Sequence, residues 1–303
     1  MLRFLFVLVG LLPMIASASE EQLVSALQGT YSACVGIDDS LADLKKMAGI
    51  NTAITAVGTG LGAGAVVAGV KKADVDAESN QIKQKLVSII KEESEPEMTV
   101  VLNEEELMKE IENFLENEPS NKDDVEKSTE EMRDLADKSK KLGNWRTGLL
   151  AGNALTNVAG AVVAGKNKVD DDLQAQIEVC KAAVKNLKMV AMQAKLDGMD
   201  VSEADRIVAV CGEFDYVDVS KINNRGKGAM LSSAVGATTG VAGTITSVLA
   251  NNNKTGKNLD GAANTLAGAS TVASGVATVF NATQISAIKK VATVATQCSE
   301  VLK

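Results

Sequence analysis

The chain has 303 residues, a net charge of −8 and no histidine, which removes Ser-His-Asp, Cys-His and imidazole–metal chemistry together. Aromatic residues make up only 3% of the chain, too few for base-stacking or sugar-binding platforms. The sequence pI near 4.9 argues against a nucleic-acid partner, because phosphate binding needs a basic face.

Residues 1–18 read as an export signal. Arg3 is the positive start, Phe4–Leu12 the apolar run, and Ala16-Ser17-Ala18 a small-residue cleavage pattern. The run is too short to span a bilayer, so the mature chain is expected to begin near Ser19 and to be secreted or periplasmic. Four cysteines in an exported chain, Cys34, Cys180, Cys211 and Cys298, read as two disulfides, with buried free thiols as the alternative. Their spacing matches neither CxxC nor a zinc site.

Residues 19–77 form a first helical repeat. Leu23, Leu27, Tyr31, Cys34, Leu41, Leu44 and Met47 recur at helical spacing, and no charge occurs from Ile50 to Val70. Residues 78–141 read as an acidic insertion. Within it, 92–134 hold seventeen acidic against four basic residues, the composition of a solvated loop or, on a sharper reading, an acidic lid or docking arm. One helix is expected there, opened by Asn103 and Glu104–Glu106, with Leu107, Ile111, Phe114 and Leu115 on one face. Pro96 and Pro119 bracket it.

A second repeat, 142–200, lies on a helix expected to run from Asn121 through Trp145 to about Leu196. Asp170-Asp171-Asp172 point different ways on a helix and read as a solvated helix start, not a cation site. Residues 201–303 hold a third and a fourth repeat. Ser202 with Asp205 suggests a capping box, 213–228 a loop or kink, and Asp260 to Val301 a last long helix.

The repeats share a signature. AVVAGVKK and AVVAGKNK nearly match, and Gly58, Gly152, Gly236 and Gly268 recur in equivalent places. Ala229, Gly236, Gly243 and Ala250 fall a heptad apart, as do Gly261, Gly268, Gly275 and Ala282. Folding the chain at NNNKTGKN sets Gly243 opposite Gly268 and Gly236 opposite Gly275, a glycine zipper or close-packed coiled coil. With Gly62 opposite Gly152, the same logic favours Cys34–Cys180 and Cys211–Cys298. Cys34–Cys298 with Cys180–Cys211 is the other pairing.

The stretch Gly60-Leu61-Gly62-Ala63-Gly64-Ala65 fits a loose dinucleotide pattern but repeats as a helix, and no Walker lysine or EF-hand spacing occurs. No catalytic, cofactor or metal residue is assigned, so an enzyme is not expected. Four uncharged runs, Ile50–Val70, Thr147–Gly165, Ala229–Asn253 and Gly261–Ile288, are long enough to cross a bilayer. They are poor in Leu, Ile and Phe and carry Asn153, Asn157 and Asn264, which tips the sequence reading toward a soluble bundle.

The segment LGNWRTGLLAGNALTNVAGAVVAGKNK is similar to stretches in an uncharacterised family of secreted bacterial helical proteins with Gly/Ala-rich helix repeats. The resemblance implies export and a helical fold, and no activity. The expectation is thus an all-α, elongated antiparallel bundle of four long helices, built from a duplicated helical pair and carrying an acidic insertion. Its expected role is non-enzymatic, structural or interactive, with an unknown protein partner, oligomers possible and no cofactor. The alternative is a membrane-active protein whose glycine-rich hairpins insert as a pore or anchor.

Overall fold

A computed structural model describes residues 20–93, 104–117, 121–252 and 259–303. Among these the fold is all-α, without strands. The elements are α1 (Glu20–Cys34), α2 (Ile37–Glu93), α3 (Glu104–Glu116), α4 (Lys122–Lys166), α5 (Asp171–Leu196) and α6 (Ser202–Cys211). A 3-10 turn (Gly212–Tyr216), α7 (Val219–Asn251) and α8 (Asp260–Leu302) follow. Five of these helices are long, rather than four. The export signal, Asn103, both bracketing prolines and most of the NNNKTGKN turn lie outside the described residues.

One difference from the expected helices has a local cause. The helix expected from 121 to 196 stops at Lys166 and restarts at Asp171. Asp170 caps the restart by accepting a 2.8 Å hydrogen bond from the Leu173 N–H, the helix start anticipated for the aspartate run. Asn223 pins the break from both sides, accepting from the Val169 N–H at 2.8 Å and donating to the Val169 carbonyl at 3.2 Å. Farther along, α5 ends in a Schellman motif. Gly198 sits at φ 81°, its N–H bonds to the Lys195 carbonyl, and Met199 N–H reaches the Ala194 carbonyl.

The chain divides into two compact units. One, the stapled unit, comprises the described residues up to Met47, Lys168–Asn224 and Gln284–Lys303. The other, the glycine-rich unit, comprises Ala48–Asn167 and Arg225–Thr283. Helices α2, α7 and α8 contribute residues to both.

The stapled unit has an ordinary apolar interior. Ile37, Leu41, Ile177, Leu187, Ile207, Phe214, Ile222 and Ile288 are all buried. Helix α1 packs on α5, where the Thr30 hydroxyl donates across to the Ala183 carbonyl. All four cysteines lie in this unit and are joined as Cys34–Cys180 and Cys211–Cys298, the first of the two pairings weighed from the sequence. The closed segments, 146 and 87 residues in separation, are long enough for cross-linking to restrict the unfolded chain by about 4–5 kcal/mol in the chain-entropy account.

The acid-rich stretch departs from the solvated-loop reading. Helix α2 runs on to Glu93, α3 forms where its apolar face was expected, and α4 begins at Lys122. Leu86 and Ile90 of α2, Leu107, Ile111 and Phe114 of α3, and Val125 and Met132 of α4 bury one another as a small core within the glycine-rich unit. The amphipathic period of α3 carries this result, since its acids occupy the remaining face. Ile111→Ala is therefore expected to destabilise the protein by about 2–4 kcal/mol. Thermal unfolding measures it, and an unchanged midpoint would mean that α3 is dispensable to the fold.

Candidate membrane-facing belt and its polar interior

Between residues 50 and 70 of α2, the buried positions are Asn51, Thr55, Gly58, Gly62, Ala65, Ala68 and Gly69. The exposed ones are Ile50, Ala53, Ala56, Val57, Gly60, Ala63, Val67 and Val70. Polar groups therefore point inward and apolar ones outward. Helix α4 repeats the pattern, with Asn153 and Asn157 fully buried while Leu155, Val158 and Val162 face out, Leu155 at 71% exposure. Helix α7 buries Ser233, Gly236, Gly240, Gly243 and Ser247 and exposes Leu231, Val235, Val241, Ile245 and Leu249. Helix α8 buries Ser270, Ser274 and Asn281 and exposes Val272, Val276 and Val279.

The buried polar groups sit in three tiers, each bonded across helices. In the middle tier, Asn153 donates to Ser270 Oγ at 2.8 Å, and Asn157 donates to Asn153 Oδ1 at 2.7 Å and Ser274 Oγ at 2.8 Å. The Ser270 hydroxyl donates a hydrogen bond to the Gly236 carbonyl, tying α8 to α7. In a second tier, Asn51 donates to Asn281 Oδ1 at 2.7 Å, and Asn281 donates to Thr55 Oγ1 at 3.2 Å.

The third tier is ionic. Arg146, fully buried, donates to Ser247 Oγ (2.9 Å), Asn264 Oδ1 (3.1 Å) and Asp260 Oδ1 (2.7 Å). Lys72 bridges Asp260 and Asp76 at 3.0 and 2.6 Å, and Ser139 closes the cluster by donating to Asp76. These charges lie just beyond the uncharged runs 50–70, 147–165 and 261–288. Burial raises the Asp260 pKa, but hydrogen bonds from Lys72 and Arg146, with their charges, outweigh it and hold the carboxyl below its usual value. Arg225, just before the α7 run, donates to the carbonyl of Thr283 near the far end of the α8 run at 2.6 Å.

Glycine makes room for these polar groups. A Cβ on Gly58 would meet Thr156 Oγ1 at 2.6 Å, one on Gly62 would meet Thr271 Oγ1 at 2.5 Å, and one on Gly236 would meet three atoms of the Asn157 carboxamide at 2.8–2.9 Å. Gly69 and Gly143 are pressed still closer by Asn264 and Asn251. The oxygens without a conventional partner fit the same scheme. A Cβ on Gly160 would lie 3.2 Å from Ser233 Oγ and 3.6 Å from Asn51 Oδ1, while Asn251 Oδ1 faces Gly143. Glycine Cα–H groups stand opposite all three, a recurring contact of close helix pairs.

This arrangement corrects the expected hairpin register. Helices α7 and α8 do run antiparallel, but a Cβ on Gly243 would meet Leu266 and Leu150, not Gly268. Gly236 pairs with Ser270, not Gly275, whose nearest neighbour is Thr59 at 4.0 Å. A Cβ on Gly261 or Gly268 would meet nothing within 4 Å. Gly152 faces Leu61, and Gly62 faces Thr271 and Asn153. The partner of a buried glycine is a side chain that fills its notch, because two facing glycines would leave a gap. The run Gly60–Ala65 lies within continuous helix and offers no strand-to-helix turn for a dinucleotide.

The sequence reading singled out the glycines and missed several of their occupants, among them Asn51, Thr156, Ser270 and Thr271, while it took Asn157 only as a polar residue in an uncharged run. A signal was present: asparagine and serine recur at helical spacing inside runs that lack any charge. Among the described residues, three helical stretches could cross a membrane by length and composition, lying within Glu20–Glu92, Lys122–Leu196 and Ser202–Asn251.

Two glycine substitutions should move stability in opposite directions. Gly236→Ala forces a Cβ against the hydrogen-bonded Asn157 carboxamide and is expected to cost about 1–3 kcal/mol. Gly268→Ala meets open space and should gain up to about 1 kcal/mol from helix propensity. Thermal melts of the two variants decide the matter, and a shift of the same sign in both would contradict the packing described. No family model, curated protein or solved structure matches this chain.

Proposed function

We propose that the chain is an exported, non-enzymatic protein that embeds the belt of its glycine-rich unit in a lipid bilayer. Membrane-active behaviour was the weaker alternative on sequence alone, and the inverted polarity of four helical segments is the observation that raises it. In water, such segments would expose valine, leucine and isoleucine while burying asparagine, serine and threonine. Contiguous apolar surface of this kind marks an interface with a protein or a membrane. In lipid the pattern has a direct rationale. Apolar side chains face the acyl chains, small residues let the helices approach, and polar side chains bond across the seams.

Dimensions support the same reading. Ile50–Val70 contains 21 residues, about 31 Å of helix, close to the hydrocarbon thickness of a bilayer. Lysine, arginine and aspartate begin just outside the uncharged runs. Trp145, at the edge of the α4 run and 69% exposed, has the amphipathic character favoured at membrane interfaces. The interior favours an anchor over a pore, because side chains from α2, α4, α7 and α8 bond to one another across it. The two disulfides support an oxidising compartment for the stapled unit.

The mature, oxidised protein should float with liposomes of neutral and anionic phospholipid and resist extraction by alkaline carbonate. Leu155→Arg sets a charge on the belt, at a cost of about 3 kcal/mol near the centre of a bilayer, and should shift the protein toward the aqueous fraction. A parent protein that stays in solution without detergent would overturn the proposal. An interaction protein whose belt is covered by another apolar protein surface would behave in that way.

A further inference from the structure

The two disulfides are neighbours. The sulfurs of Cys34, Cys180 and Cys298 all lie within 4.8 Å of one another, and Cys211 is bonded to Cys298. They are also sealed: Cys34 is 4% exposed, Cys298 1%, and Cys180 and Cys211 not at all. Each cystine joins a different helix pair, α1 to α5 and α6 to α8. Thiol–disulfide exchange needs only a thiolate able to reach a disulfide sulfur. Cys298 Sγ is therefore no more than 4.8 Å from either sulfur of the Cys34–Cys180 bond.

We propose that the four cysteines form a single exchange site, in which an electron pair passes between two cystines inside the stapled unit. In the intact protein the cycle is entered when local opening of the sealed site admits a dithiol reductant, which is oxidised to its own disulfide as it opens Cys211–Cys298. The Cys298 thiolate then attacks Sγ of Cys34 or Cys180. A new sulfur–sulfur bond forms as Cys34–Cys180 breaks, and the electron pair leaves on the expelled sulfur as a thiolate. The proton given up by Cys298 ends on that sulfur, so the internal step consumes neither oxidant nor reductant. Attack at Cys34 links α1 to α8, a connection absent from the native pairing. Burial disfavours the thiolate and keeps the step slow until the pH is raised.

Cys211→Ser tests the internal step with no added reductant, since it leaves the Cys298 thiol beside the intact Cys34–Cys180 bond. The full mature chain is incubated at mildly alkaline pH for hours, acid-quenched, alkylated and peptide-mapped. The expected result is a fraction with Cys298 bonded to Cys34 or Cys180 and the displaced cysteine alkylated, formed at a rate independent of protein concentration. Cys34→Ser is the companion variant, in which freed Cys180 should capture Cys298 and release Cys211. It serves alone if Cys211→Ser does not fold. Retention of only the native cystine in the folded variants, with the freed thiol alkylated quantitatively, would overturn the proposal, as would exchange that occurs only between molecules.

Discussion

A carboxamide or hydroxyl buried in a helix seam needs a hydrogen-bond partner and the space to reach it. The glycine-rich unit meets both requirements with one device. Glycines on one helix open notches, and asparagine, serine and threonine from the next helix fill them. Asn157 illustrates the dependence. It lies against Gly236 while bonding Asn153 and Ser274, so one side chain connects α4, α7 and α8. A buried polar group left unpaired costs about 1–3 kcal/mol, which makes such a network sensitive to register.

The same device determines what remains for the outside. With small and polar residues committed inward, most of the valines, leucines and isoleucines of these segments occupy the outer faces, Leu150 being a buried exception. The stapled unit shows the opposite arrangement, with isoleucine, leucine and phenylalanine inside. One chain therefore contains two solutions to burial. The glycines cost about 1 kcal/mol each in helix propensity relative to alanine, offset where a neighbour packs into the notch. Where nothing packs, as at Gly268, no such compensation is present.

Much of the fold was legible in the sequence. The all-helical character, the amphipathic face of α3, the Asp170 helix start and the disulfide pairing follow from periodicity, capping and spacing. The α7–α8 register did not follow, because a heptad of glycines says where room exists and not what enters it. The residues that enter, such as Ser270 and Leu266, obey no simple spacing relative to the glycines they meet. The break at 167–170 was also hidden, since it depends on Asn223, 54 residues from Val169. Most informative are Asn153 and Asn157, both fully buried, and the half-buried Asn264. In the sequence they weigh against a membrane, because a polar residue in an apolar run suggests water. In three dimensions Asn153 and Asn157 bond to each other and to Ser270 and Ser274, and Asn264 accepts from Arg146, so all three are satisfied inside the helix seams.

Trp145 offers the most direct test of the bilayer assignment, because it is the chain's single tryptophan and lies at the edge of the belt. Its fluorescence can be followed as the mature, oxidised protein is mixed with vesicles containing phospholipids brominated at defined acyl positions. An embedded belt predicts a blue-shifted emission, quenched most strongly by bromines near the headgroup. Emission unchanged by lipid, with no quenching at any depth, would contradict the account.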